Sequence, residues 1–243
     1  MKCVKTILMG LLCAVPVYAE YYSQVGQDQF LNETYFKNMR NGVFVDIGAY
    51  DGRCFSNSYF FEKELDWSGI CFEPTPRIFK ELASRRNCIC IQACVAGTPG
   101  VMPFVDINKL EELSGLKKFF DEEPHRWEVV NRYLATTPGS YYTILDLPVV
   151  TFNDTMKKHD ISYIDYLSID TEGSEIDIIK SIDFDAVKIF AISIENNENT
   201  MDAHDILAAK GFTFIKKIGG FDDLYINFAN ARENVIATDK EQQ

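Results

Sequence analysis

The run Val43-Phe44-Val45-Asp46-Ile47-Gly48-Ala49-Tyr50-Asp51-Gly52 constrains this chain more than any other stretch. Val43, Phe44, Val45 and Ile47 read as a strand buried on both faces of a parallel sheet. Gly48 and Gly52 let the backbone turn sharply and pass close to a bulky neighbour. An acid at the carboxyl end of such a strand stands where open α/β sheets bind ligands. Strand, glycine loop and following helix together make a cradle for a nucleoside-like group.

The spacing narrows the choice of group. A dinucleotide fingerprint needs three glycines that let backbone amides approach a pyrophosphate, and here Tyr50 stands where the second should be. No Lys-Ser or Lys-Thr pair follows, so the loop is not a Walker phosphate loop. Asp46 and Asp51 would also repel phosphate. Carboxylates suit a cation, and S-adenosylmethionine (SAM) offers a sulfonium and an α-ammonium. The plain alternative is an acid and two glycines in an ordinary strand-to-helix turn.

A second strand, Ile70-Cys71-Phe72, ends at Glu73-Pro74. Glu73 follows the glycine loop by about twenty residues, where a carboxylate at an adjacent strand tip can accept both ribose hydroxyls. A helix from Arg77 to Arg86 leads to a third strand, Cys88 to Val95. After Gly97-Thr98-Pro99-Gly100 the strand-helix rhythm breaks. Val101 to Val105 reads as a short strand, and residues 106–147 as an insertion that forms a lid or recognition segment. It carries Ser114-Gly115, an acidic run, and His125-Arg126-Trp127. Arg126 or Arg132 could hold an acidic group there; alternatively the aromatic residues only pack the insertion onto the sheet.

The regular pattern then resumes. Tyr163 to Ile169 is a fourth core strand, ending in Asp170-Thr171-Glu172-Gly173-Ser174-Glu175. Ile189 to Ile194 is a fifth, ending in Glu195-Asn196-Asn197, and Phe212 to Ile218 with Phe221 to Phe228 form a hairpin turned by Gly219-Gly220. The expected fold is α/β: the Rossmann-like class I methyltransferase architecture, a seven-stranded, mostly parallel sheet with an antiparallel last strand.

Composition excludes some functions. The net charge of −12 and the pI near 4.7 argue against a nucleic-acid partner, because phosphate contacts need clustered Lys and Arg. Lys2 and Lys5 precede an apolar run from Ile7 to Val17, and Val17-Tyr18-Ala19 resembles a cleavage site before Glu20. Residues 1–19 therefore read as a signal peptide or targeting segment, 20–230 as the catalytic domain and 231–243 as a flexible tail. The leader is too short for a comfortable membrane span and points to the secretory lumen, the periplasm or the exterior. Five cysteines would remain in the mature chain, an odd number that reads as free thiols and fits the cytoplasmic alternative.

Ser23-Gln24-x-Gly26-Gln27-Asp28, Val45-Asp46-Ile47-Gly48-Ala49-Tyr50-Asp51-Gly52, Phe72-Glu73-Pro74 and Ile169-Asp170-Thr171-Glu172-Gly173-Ser174-Glu175 together resemble the FkbM-type methyltransferase family. The resemblance runs from about Tyr22 to Phe228, and Asp-x-Glu-Gly-x-Glu is its most specific motif. It implies SAM as cofactor and transfer of a methyl group to a hydroxyl, most typically of a sugar or glycan. By position, Asp46 and the loop Gly48, Ala49, Tyr50 and Gly52 would cradle the methionine part, and Glu73 the ribose. Gln92, Ala93 and Cys94 would lie beside the adenine, and Asp170 and Glu172 would sit near the methyl group. Apart from the resemblance, Gln24, Gln27 and Asp28 could fold back over the cofactor, or Ser23 could simply cap the first helix, the reading that chemistry alone favours.

A sugar hydroxyl is a weak nucleophile, so a neighbouring group must take its proton as attack proceeds. Asp170 is the first candidate base and Glu172 the second; His125 and His204 are outsiders. No metal is assigned. Mg²⁺ held by the clustered carboxylates is the alternative, set aside because those carboxylates also have cap and cofactor roles. A non-catalytic SAM-binding module, or an enzyme acting on a protein or small molecule, are the competing functions. The missing glycine disfavours a nicotinamide-dependent oxidoreductase.

Overall fold

The computed structural model describes residues 20–197 and 199–236; the leader segment and residues 237–243 of the expected tail lie outside them. Helix α1 (Gln27–Leu31) runs on into a π-helical turn (Asn32–Phe36). Then follow β1 (Val43–Ile47), α2 (Tyr59–Leu65), β2 (Ser68–Phe72), α3 (Pro76–Arg85) and β3 (Ile89–Ile91). The chain next forms β4 (Cys94–Val95), β5 (Gly100–Ile107), β6 (Gly115–Leu116), α4 (Lys117–Glu122), α5 (Pro124–Thr136) and β7 (Tyr142–Val150). It continues through α6 (Phe152–Lys158), β8 (Tyr163–Ile169), α7 (Glu175–Ser181) and β9 (Lys188–Glu195). Helix α8 (Asp202–Ala208), β10 (Thr213–Ile218), β11 (Asp222–Ile226) and α9 (Glu233–Ile236) complete the described chain.

The main sheet has seven strands in the order β10-β11-β9-β8-β1-β2-β3. Strand β11 runs antiparallel to both β9 and β10, and the remaining pairs are parallel. This is the doubly wound arrangement expected from the sequence. The chain winds outward from β1 in one direction through β2 and β3, and in the other through β8 and β9. The carboxyl ends of β1 and β8 are therefore the topological switch point, where the first connections diverge and leave a crevice.

Strand alternation explains how both faces are covered. Val45 and Ile47 join Phe72, Leu167, Ile169 and Ile192 in one apolar layer with Met156, Ile178 and Leu207 of α6, α7 and α8. Phe44, Cys71, Tyr166 and Phe190 point to the opposite layer, where Phe60, Phe61 and Trp67 pack. Burying each such large side chain contributes roughly 1.5–3 kcal/mol, which is why the apolar runs settle in the centre of the sheet.

Three expectations are corrected. The third strand does not continue from Cys88 to Val95: β3 stops at Ile91, and Cys94-Val95 pairs in parallel with Val149-Val150 of β7 instead. The apolar residues resume after Gln92, but their hydrogen-bonding partner is now β7. The inserted region is also larger and more ordered than the lid expected over 106–147. It is built on a four-stranded sheet, β4-β7-β5-β6, in which β5 and β7 pair from Gly100↔Val149 to Ile107↔Tyr142. Phe119 packs with Phe104 and Leu116, and Phe120 and Val130 pack with Val105 and Ile107. The start of the expected loose tail is anchored too: Arg232 pairs with Asp165 at 2.8 Å, and Val235 is buried.

Candidate functional site

The carboxyl ends of β1, β2, β8 and β9 open into a cavity of about 280 Å³. The second sheet closes its far side with Phe104, Leu116 and the segment Glu111 to Ser114. Gly48 makes the crossing at the switch point possible. Its φ is +90°, and a Cβ there would lie 1.7 Å from the Asp170 carbonyl oxygen. That close approach sets β1 against the acidic loop after β8, where the Asp170 amide donates to the Ile47 carbonyl at 2.9 Å.

Asp46 is buried, and Ser58 Oγ donates to it at 2.5 Å. Burial raises its carboxyl above the usual range, against the opposing pull of the nearby Arg86 guanidinium and the Ser58 hydroxyl. Arg86 in turn donates to Ser58 Oγ at 2.9 Å and pairs with Glu62 at 2.5 Å. At the tip of β2, Glu73 accepts from the Thr75 amide at 2.7 Å, and burial raises it to about 7.

The opposite wall is a group of carboxylates. One oxygen from each of Asp170, Glu172 and Glu195 lies within 4.8 Å of the others. Burial, followed by repulsion from Glu195 and Glu172, raises Asp170 well above the carboxylate range. Glu172 is raised by burial and Glu195, although Arg126 opposes this; Glu195 is raised to about 7, mainly by burial. Like charges this close resist simultaneous ionisation. The loop has a strained backbone: Glu172 has φ +56°, and Gly173, at φ +120°, packs against Phe119 of the insertion. Glu175 braces it by accepting from the Thr171 amide at 2.7 Å and the Gly173 amide at 2.9 Å.

Eight carboxylate residues line the cavity: Asp46, Glu73, Glu111, Glu112, Asp170, Glu172, Glu195 and Asp222. No Lys, Arg or His lines it among the described residues. Arg126, considered above as an anchor for an acidic group, instead donates to the Glu172 carbonyl at 2.9 Å and to its carboxylate at 3.2 Å.

The model of the methyltransferase FkbM domain matches residues 46–214, more than half of the chain. The chain belongs to the FkbM methyltransferase family. SAM-dependent methyl transfer is thus its reaction class. The sequence matches no curated protein. Similar solved structures include an FkbM methyltransferase from Methylobacillus flagellatus KT, at 13% identity and TM-score 0.45, covering 82% of this chain and 50% of that one. A precorrin-6y C5,15-methyltransferase from Geobacter metallireducens GS-15 aligns at 13% identity and TM-score 0.42, over 82% and 86% of the two chains. TrmK of M. capricolum, in complex with S-adenosyl-homocysteine, aligns at 10% identity and TM-score 0.38, over 84% and 70%.

In this FkbM chain, Asp46, Gly48, Ala49, Tyr50, Glu73, Ala93, Asp170 and Glu172 all line the cavity. Gln27, Gly52 and Gln92 do not. Gln27 stands behind the wall and donates to Asp222 at 2.6 Å, while Gln24 from the same motif reaches the cavity. Gly52 packs the loop against α3, close to Leu82 and Arg86. Gln92 is exposed at the point where the chain leaves the main sheet; its neighbours Ala93 and Cys94 face the cavity instead. Sequence reasoning missed Asn57, Ser168, Glu195, Phe55, Phe221 and Asp222 as wall residues. Glu195 had a signal, an acid at a strand end, whereas nothing local marks Asn57.

The wall fits a methyl donor that carries a sulfonium and an ammonium. Its carboxylates favour cations and oppose phosphate, and Asn57 leaves a buried amide oxygen without a partner. Leaving such a group unmet costs about 1–3 kcal/mol. Asp46, Gly48, Ala49 and Tyr50 would hold the methionine side of SAM, and Glu73 its ribose.

Proposed function

We propose that this chain O-methylates a hydroxyl of an uncharged acceptor, with a sugar or glycan as the leading class. The observation that carries this is the cavity wall, with eight carboxylates and no cationic side chain among the described residues. Such a wall opposes phosphorylated or carboxylated acceptors and admits neutral polyols. Exposed Phe55 and Phe221 at the same cavity suit the apolar face of a sugar ring.

Bound SAM supplies a methyl carbon activated by its sulfonium. The protein's task is to align the acceptor hydroxyl with that carbon and to remove its proton. As the oxygen–carbon bond forms and the carbon–sulfur bond breaks, the hydroxyl proton passes to a carboxylate of the Asp170, Glu172 and Glu195 group. Asp170 is the first candidate because it adjoins Gly48 at the switch point. No histidine lines the cavity among the described residues to take that role.

The test is transfer from methyl-labelled SAM to a panel of neutral sugars and oligosaccharides beside their phosphorylated counterparts. Label should enter neutral acceptors as a base-stable ether, and Asp170→Asn should lower kcat by about 100-fold or more. Base-labile label, as in a methyl ester, or preference for phosphorylated acceptors would overturn the proposal. So would retained S-adenosylhomocysteine binding with no transfer to any hydroxyl, which would favour a non-catalytic binding module.

A further inference from the structure

Asn57 lies between the glycine loop and α2, lines the cavity and is 7% exposed. Its Nδ2 donates to Ser168 Oγ at 2.9 Å, and its Oδ1 has no partner. Two contacts locate this amide in the fold. Ser168 is the register partner of Asp46 across β1 and β8, and Ser58, the next residue along the chain, holds the Asp46 carboxylate. Asn57 is therefore fixed beside the ends of β1 and β8.

The geometry points to Asn57 Oδ1 as the acceptor for the α-ammonium of the methyl donor, an assignment that rests on reading the cavity as the SAM pocket. A buried carbonyl oxygen lacking a partner calls for an N–H or O–H donor, and the surrounding carboxylates favour one that carries positive charge. SAM offers the ammonium, the adenine amine and the ribose hydroxyls. The strand order separates them. Glu73, the ribose candidate, stands at the end of β2, and the order β3-β2-β1-β8 puts the adenosine side across β1 from Ser168. The amino-acid end is the part that reaches β8.

Calorimetric titration tests this with two ligands, S-adenosylhomocysteine and 5′-methylthioadenosine, the second lacking the amino-acid part. Wild type should bind both. Asn57→Ala should weaken S-adenosylhomocysteine by about tenfold or more and leave 5′-methylthioadenosine unchanged, which also shows that the variant pocket is folded. Asn57→Asp keeps an acceptor oxygen and adds charge, so it should bind S-adenosylhomocysteine at least as tightly as wild type. An Asn57→Ala variant that binds both ligands as wild type does would overturn the assignment. So would an Asn57→Asp variant that binds only 5′-methylthioadenosine, because the amide would then be donating to the ligand's carboxylate. If wild type binds neither ligand, the methyl-donor reading itself falls, and this assignment with it.

Discussion

Gly48 occupies a position where even a methyl group has no room. A Cβ there would meet backbone, the Asp170 carbonyl, and backbone cannot swing aside as a side-chain tip can. The positive φ adds a second penalty for any other residue. Gly48→Ala should therefore lower the unfolding free energy by roughly 3 kcal/mol or more, read from urea denaturation, and should weaken S-adenosylhomocysteine binding in whatever fraction folds. A loss below about 1 kcal/mol would mean that the β1 and β8 ends can part without cost. Asp46 is a different kind of residue. Its carboxylate belongs to a buried chain through Ser58 to Arg86 and Glu62, so its removal disturbs the fold as well as the cavity wall.

At the level of elements, the insertion braces the acidic loop of the site from two helices. Helix α5 sends Arg126 to both the carbonyl and the carboxylate of Glu172, and α4 places Phe119 against Gly173. Arg126 opposes the burial and repulsion that raise Glu172. In Arg126→Ala that opposition disappears, and Glu172 holds its proton to higher pH. The acid limb of the methyl-transfer pH–rate profile should move to higher pH. An unchanged limb with reduced stability would make Arg126 a brace for the insertion alone.

For the whole molecule, the buried acids set the dependence of stability on pH. Glu73 and Glu195 are raised to about 7 and Asp165 to about 6, chiefly by burial. Their unfolded counterparts release protons at about pH 4. Between these values the folded chain binds more protons than the unfolded chain, so its stability falls as pH rises. The net charge of −12 at pH 7 adds self-repulsion in the same direction. The ligand-free protein should melt highest near about pH 5 and several degrees lower near about pH 8, measured by scanning calorimetry. A Tm that rises across that window would show that these carboxylates are already ionised in the folded chain.

The strand, glycine and acid pattern of Val43 to Gly52 was legible without coordinates, because burial on both faces and a sharp turn each demand particular residue types. The same holds for Glu73 and for the loop Asp170 to Glu175, which follow apolar runs that end in acids. From these came the fold class and part of the cavity wall. The end of β3 at Ile91 was not legible, since Cys94 and Val95 are as apolar as a continuing strand and differ only in their partner, β7. Nor were the exposure of Gln92, the place of Gln27 behind Asp222, or the unmet oxygen of Asn57. Periodicity along the chain reports which side of an element is buried. Only the tertiary structure decides which distant groups meet there, because hydrogen bonds and charge repulsion depend on separations in space that neighbours in sequence do not set.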